Sequence, residues 1–216
     1  MGRTRALMHT RNAHRAAREY WSACSCSLLA SDPTYYDRQE EVLRKRFMSV
    51  IGRFGSALDI GCGNGRFSMV IGEWGNSVDA VDISSNLIEQ GRQAAQSSGI
   101  KNVNFEVIDL ESGLPEKQYD LIACMGVMST IINDEPFIEL CDYISKSLNK
   151  DGWLILKDTL SADINGELIN TPEYTTHYRN QEHYLSTITQ YGFKKIDEVL
   201  MAEGQGRVNY MYLFKN

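Results

Sequence analysis

The chain has no run approaching the roughly 18 apolar residues that cross a membrane, and no apolar segment of the kind found in a secretory signal. A cytoplasmic protein without a membrane association is therefore expected. Cysteine pairing is also missing. Cys24, Cys26, Cys62, Cys124 and Cys141 are odd in number and none is spaced C-x-x-C. That argues against a disulfide framework and against a zinc site, so no metal is expected. Excess positive charge is absent too. Against 22 Lys and Arg stand 28 Asp and Glu, a net charge of -6, and global electrostatics of this sign disfavour nucleic acid.

What is present suits one globular domain: 216 residues, 43% hydrophobic and 23% charged, are enough to bury a single core. One segment departs from the bulk charge. The first 18 residues carry Arg3, Arg5, Arg11, Arg15 and Arg18 and no acid. A loosely helical lead-in, an organelle-targeting segment and a lid helix meeting an anionic ligand are three readings of it. Tyr20, Trp21, Leu28 and Leu29 give residues 11–29 the apolar surface of a helix, which Ser31-Asp32-Pro33 breaks. Val42, Leu43, Phe47, Val50 and Ile51 recur at helical spacing over 36–51.

From Ser56 the pattern becomes an alternation of short strands and helices. Strands are predicted at 57–60, 78–81, 103–108, 119–125 and 153–156, with helices following through 74, over 86–98 and over 135–148. A helix over 181–191 and two strands at 196–201 and 208–214 close the chain, the strands pairing around Glu203-Gly204-Gln205-Gly206. Alternation of this kind implies a doubly wound, mostly parallel α/β sheet covered on both faces.

The informative segment is Asp59-Ile60-Gly61-Cys62-Gly63-Asn64-Gly65-Arg66. It follows a strand and opens a helix, where open α/β sheets bind ligands. The dinucleotide pattern G-x-G-x-x-G would need glycine where Arg66 stands, and the Gly-Lys-Ser/Thr ending of a phosphate loop is missing. Asp59 would repel a pyrophosphate but can hold water or an ammonium. The turn suits a nucleoside with a cationic amino-acid tail. Asp82 ends the second strand about 20 residues on, where a carboxylate can accept from ribose hydroxyls. Asp109 ends the third, where it can accept from an adenine amine. Each could instead be a helix cap; the joint pattern is harder to read that way.

These segments resemble class I S-adenosylmethionine (SAM)-dependent methyltransferases. Leu58 to Gly65 is similar to the family's first motif, Val81-Asp82-Ile83-Ser84 to its second, Ile108-Asp109-Leu110 to its third and Tyr119-Asp120-Leu121-Ile122 to its fourth. Leu148 to Leu154 resembles the turn before its fifth strand. The resemblance covers roughly residues 54–214. It implies a seven-stranded sheet with an antiparallel C-terminal hairpin strand, a core over 54–216, and an N-terminal helical lid over 1–53. It also implies SAM as cofactor and S-adenosylhomocysteine (SAH) as product. By the same resemblance Gly61, Cys62 and Gly63 approach the methionine part, Asp82 the ribose, and Ile83 an adenine face. Asp109 and Leu110 meet the adenine edge, while Cys124 and Met125 flank the reacting centre; Met125 as core filling is the alternative.

The acceptor is expected to be a small molecule methylated on O or N, such as a sugar, an amine or a natural-product intermediate. RNA or protein methylation, a non-catalytic SAM-binding module and a nicotinamide dehydrogenase are the other readings. Gly126 to Thr130 lacks the N-P-P-Y pattern of enzymes methylating amide or adenine nitrogens. Tyr35-Tyr36-Asp37-Arg38 is a candidate lid, with Tyr36 over the cofactor and Arg38 reaching a carboxylate. The long segment after the fifth strand, with Tyr174, Tyr178 and Arg179, is the candidate acceptor site. Within it Asp158 is placed to orient an amine, and His177 and His183 are candidate bases. Oligomeric state is not legible.

Overall fold

The computed structural model describes residues 2–26 and 34–216, with side chains from residue 13 onward. Leu28, Leu29 and the expected break at Ser31-Asp32-Pro33 lie outside the described residues. The N-terminal part is helical: α1 (Gly2–Ala23), α2 (Thr34–Val42) and α3 (Met48–Ile51), the last two joined by a π-helical turn at Leu43–Phe47. The continuous helix expected over 36–51 is thus interrupted by one wide turn, a local irregularity that adds a residue to the helical ladder.

The alternation then runs β1 (Phe54–Ile60), α4 (Arg66–Gly72), β2 (Gly75–Asp82), α5 (Ser85–Ser97), β3 (Val103–Val107), β4 (Tyr119–Met125), α6 (Asp134–Ser147) and β5 (Leu148–Ser161). A small hairpin follows, β6 (Glu167–Asn170) with β7 (Thr175–Tyr178), then α7 (Gln181–Gln190), β8 (Lys194–Gly204) and β9 (Arg207–Lys215). The main sheet has seven strands in the order β3-β2-β1-β4-β5-β9-β8. β9 lies antiparallel between β5 and β8, as the closing hairpin implies. Gln205 (φ 53°) and Gly206 (φ 72°) give its turn two left-handed residues, the combination that fits the twist of a two-residue hairpin. The strand order reverses between β1 and β4, and this is the switch point at which the glycine turn emerges. The β6–β7 hairpin was not foreseen: its strands are four residues each and polar, too short for a clear alternation.

Side-chain alternation sorts each strand between two layers. Leu58, Ile60, Ile122, Cys124, Leu154 and Leu156 pack with Phe137, Leu140 and Ile144 of α6 and Tyr184 and Ile188 of α7. Ala57, Leu121, Ala123, Ile155, Met211 and Leu213 face the other way, onto Leu43, Phe47, Met48, Val70 and Ile71. At the β3 edge Phe105 packs with Ala80, Ile88 and Ala95. There Gly91 of α5 lets Phe105 lie against the helix: a Cβ on it would stand 2.6 Å from Phe105 Cε1 and 3.1 Å from the Asn64 carbonyl oxygen. Gly91→Ala should therefore destabilise the protein by about 1–3 kcal/mol through overpacking, although alanine raises helix propensity by about 1 kcal/mol. Urea unfolding decides between the two; a more stable variant would show that Phe105 gives way freely.

Candidate active site

The glycine turn is held by the strand beside it. Gly61 N donates to Val81 O at 2.8 Å, and Cys62 N to the same oxygen at 3.0 Å. Gly63 N donates to Asp82 Oδ2 at 2.9 Å, while Ser84 N donates to Asp82 Oδ1 at 2.8 Å. Gly61 has φ 71°, and a Cβ there would lie 2.1 Å from Val127 Cγ2, so the loop after β4 closes directly on the turn. The Asp82 carboxylate is largely buried, which pushes its pKa up against the opposing hydrogen bonds from these amides. An ionised carboxylate accepts at about four lone-pair sites; the backbone amides of Gly63, Ser84 and Ile83 use part of that capacity, and the rest is left for donors from a ligand.

Beyond the turn lies a cavity of about 890 Å³, near the upper end of the roughly 300–1,000 Å³ range of small-molecule sites. Gly61, Cys62, Gly63, Asp82 and Ile83 line one side of it, as do Asp109, Leu110 and Met125, and Tyr36 forms part of its wall. Nine of the eleven residues expected around the cofactor thus share one cavity. Asp59 and Cys124 do not line it. Asp59 points to the α4 side of β1, is 2% exposed and accepts from Ser68 Oγ at 2.6 Å; burial pushes its pKa up to about 6. Strand alternation turns Cys124 into the core below α6, where it is fully buried.

The three expected catalytic residues also lie outside the cavity lining. Asp158 is 1% exposed on the α6–α7 side of β5. Its carboxylate accepts from Ser129 N at 3.1 Å and from the Tyr184 phenol Oη–H at 3.0 Å, pinning the loop after β4 to α7. His177 Nδ1 is 2.9 Å from the Ile132 carbonyl oxygen, and burial first, then the Arg179 charge, pushes its pKa down. His183 is exposed in the first turn of α7. The buried Arg179 organises the same loop, donating to the carbonyls of Met128, Ile131 and Asn133 and to Asp134 Oδ1 at 2.9–3.0 Å. Arg38 donates to the carbonyls of Leu200 and Met201 at 3.1 and 3.2 Å, so α2 is tied to β8 and this guanidinium is not spread toward a ligand.

The N-terminal helix crosses the cavity mouth. The Arg18 guanidinium bonds to both Asp109 and Glu111, and His14 Nε2 lies 3.0 Å from Glu111 Oε1. Tyr20 stacks on Tyr174 of the hairpin segment, with ring centroids 4.5 Å apart. Ser84 Oγ donates to Cys24 O at 2.6 Å. Two arms of the cavity rim are thus joined by one helix. Tyr174 and Tyr178 of the expected acceptor segment and Trp21 of the N-terminal helix also line the cavity, and so do Lys157 and Asn209, for which no individual role is expected from the sequence. For Lys157 a signal existed: a lone cation directly after the apolar run Trp153 to Leu156 at the carboxyl end of a central strand.

The fold and this placement define a doubly wound α/β protein with a nucleoside-sized site at its switch point. Residues 55–214 match the profile of a family described as "Methyltransferase domain", and the chain belongs to it: it is a class I SAM-dependent methyltransferase domain. Among curated proteins it is 36% identical over 113 residues to a malonyl-[acyl-carrier protein] O-methyltransferase of Ilyobacter polytropus, covering 51% of this chain and 41% of that protein. It is 30% identical over 112 residues to a ubiquinone biosynthesis O-methyltransferase of Coxiella burnetii, covering 51% and 46%. The matched part spans less than half of those relatives. The fold is similar to that of N-methyltransferase NodS from Bradyrhizobium japonicum, solved with SAH, at a TM-score of 0.70 and 16% identity over 95% of this chain and 98% of that one.

Asp59 yields a pH-dependent expectation. Its pKa rises from 3.8 to about 6 on folding, so between those values the native state binds more protons than the unfolded chain. Stability is then lost as pH rises through that window. Asp59→Asn keeps an acceptor for Ser68 and removes the charge. Urea unfolding should find it more stable than the parent at about pH 7 by on the order of 1–3 kcal/mol, with little difference at about pH 4. A variant less stable at neutral pH would contradict this.

Proposed function

We propose that the protein transfers a methyl group from SAM to an oxygen or nitrogen atom of a small-molecule acceptor, releasing SAH. The observation that carries this reading is the convergence of the glycine turn, Asp82 and Asp109 on one cavity with polar and aromatic walls beyond them. The residues present fit the cofactor. Asp82 has accepting capacity left for ribose hydroxyls, Ile83 and Leu110 offer apolar surface to a purine, and Asp109 stands at its edge. Bound SAM supplies a methyl group already activated by its sulfonium.

The chain's own task is then positioning and exclusion of water. The turn fixes one reactant, the loop after β4 and the β6–β7 hairpin shape the space for the other, and α1 closes the mouth as the lid part of the N-terminal extension over residues 1–53. Holding both partners in line can supply roughly 7–11 kcal/mol of the barrier reduction. Asp158 and His177 serve this reading as supports of the loop that forms the acceptor wall, His183 stands exposed on α7, and no proton transfer is routed through any of the three. Both curated relatives are named as O-methyltransferases and NodS as an N-methyltransferase, which supports either acceptor atom. Arg18 is engaged with Asp109 and Glu111 and so lends little to an RNA-binding reading. Among the described residues no helix is long and apolar enough to cross a membrane.

Two measurements test the reading. Asp82→Ala should weaken SAM binding about 10- to 100-fold in a calorimetric titration, the equivalent of one or more hydrogen bonds to a charged group; unchanged affinity would mean the ribose contact is misplaced. Pools of small acceptors incubated with methyl-labelled SAM should give a labelled product by mass spectrometry. Label found only in RNA or protein would overturn the small-molecule assignment.

A further inference from the structure

The cavity has a second end that the cofactor reading leaves unused. Lys157 and Thr159 stand two residues apart on β5 and therefore share a face, and Asn209 of β9 pairs directly with Thr159. All three line the cavity, on the α2 side of the sheet and beside Met125, the register partner of Lys157 on β4. Among the described residues no carboxylate or carbonyl oxygen lies within bonding distance of Lys157 Nζ. The ring of Tyr35 lies beside it, 5.4 Å from the ammonium to the centroid. Asp158, next in sequence, points to the opposite layer and is taken up by Ser129 and Tyr184. Burial pushes the Lys157 pKa down, opposed by the charge of Asp158 across the strand.

Asn209 supplies an independent sign. It is 6% exposed. Its Nδ2 donates to Thr159 Oγ1 at 2.7 Å, while its Oδ1 is buried with no hydrogen-bond partner among the described residues. Turning the amide over would only exchange which of its two polar atoms is left over, because the threonine hydroxyl can donate or accept. A buried polar atom left unpaired costs roughly 1–3 kcal/mol, and such atoms in native proteins usually have a partner to meet. A hydroxyl satisfies the orphan in either orientation of the amide.

We propose that the end of the cavity formed by Lys157, Thr159 and Asn209 binds a methyl acceptor that carries a carboxylate and a hydroxyl group. The carboxylate meets the Lys157 ammonium and the hydroxyl meets the free atom of Asn209. A single cation without an arginine fork neutralises one charge, which selects a carboxylate over a phosphate dianion. Tyr35 and Tyr178 provide the apolar walls for the carbon skeleton between these groups. The inference rests on the methyltransferase reading, in that it assigns the acceptor of the same site.

The test uses the full chain saturated with SAH, after SAH binding itself has been measured by calorimetry. Aliphatic and aromatic hydroxycarboxylic acids are titrated alongside their matched neutral carboxamides. Saturable binding of at least one acid, with its amide bound about thirtyfold or more weakly, is the expected result. Lys157→Met and Asn209→Leu should each reproduce that loss, Lys157→Arg should restore part of it, and SAH affinity should stay within about twofold in all three. Thermal unfolding of each variant checks that the fold persists. Three outcomes overturn the proposal: no acid binding up to its solubility, amides binding as well as acids, or loss of SAH binding in Lys157→Met. The last would assign the ammonium to the cofactor's own carboxylate. Failure of the parent protein to bind SAH would instead remove the methyltransferase reading itself.

Discussion

Three consecutive amides of the glycine turn are satisfied by the end of a neighbouring strand, two by the Val81 carbonyl and one by the Asp82 carboxylate. Much of the site follows from this bonding. A loop with left-handed residues at 61, 63 and 65 has no ladder of its own, and its buried amides need acceptors. Because β1 and β2 run parallel and in register up to Ile60 and Val81, the acceptors arrive at the right height. Asp82 then serves two ends at once, fixing the turn through Gly63 and the start of α5 through Ser84. The cap reading and the ligand reading of Asp82 are therefore compatible, since backbone bonds use only part of what a carboxylate can accept.

The second constraint acts from the other side of the switch point. Gly61 has no room for a side chain because Val127 occupies it, so the loop after β4 sets the floor of the cavity. That loop is itself secured by Asp158, by four bonds from Arg179, and by Thr176 Oγ1 donating to Ser129 O at 2.7 Å. The insertion after β5 thus acts first as a brace. Its buried arginine is costly to desolvate, and acceptors for four of its five N–H groups, with the Phe137 ring centroid 4.0 Å from the guanidinium carbon, offset that cost.

The sequence made most of the core and the cofactor side legible, for a physical reason. Parallel strands such as Tyr119–Met125 are buried on both faces and read as apolar runs, and the glycine spacing is dictated by local backbone geometry. The acceptor side was much less legible. Asp158 looked well placed because it ends a strand, yet alternation sends it to the layer opposite Lys157, and that parity cannot be fixed without the register of β5 against β9. His177 and His183 drew attention as titratable groups, but a carbonyl contact and an exposed helix turn absorb them. Asn209 carried no signal in sequence at all; only its pairing with Thr159 across two strands distant in the chain brings it to the cavity.

The central claim is that the turn and Asp82 form a nucleoside site closed by the N-terminal helix. Its most direct test is an experimental structure of the chain with SAH. The account predicts both ribose hydroxyls within hydrogen-bond distance of the Asp82 carboxylate, the adenine between Ile83 and Leu110, and α1 across the mouth. SAH found elsewhere, or bound with Asp82 contacting only Gly63 and Ser84, would contradict it.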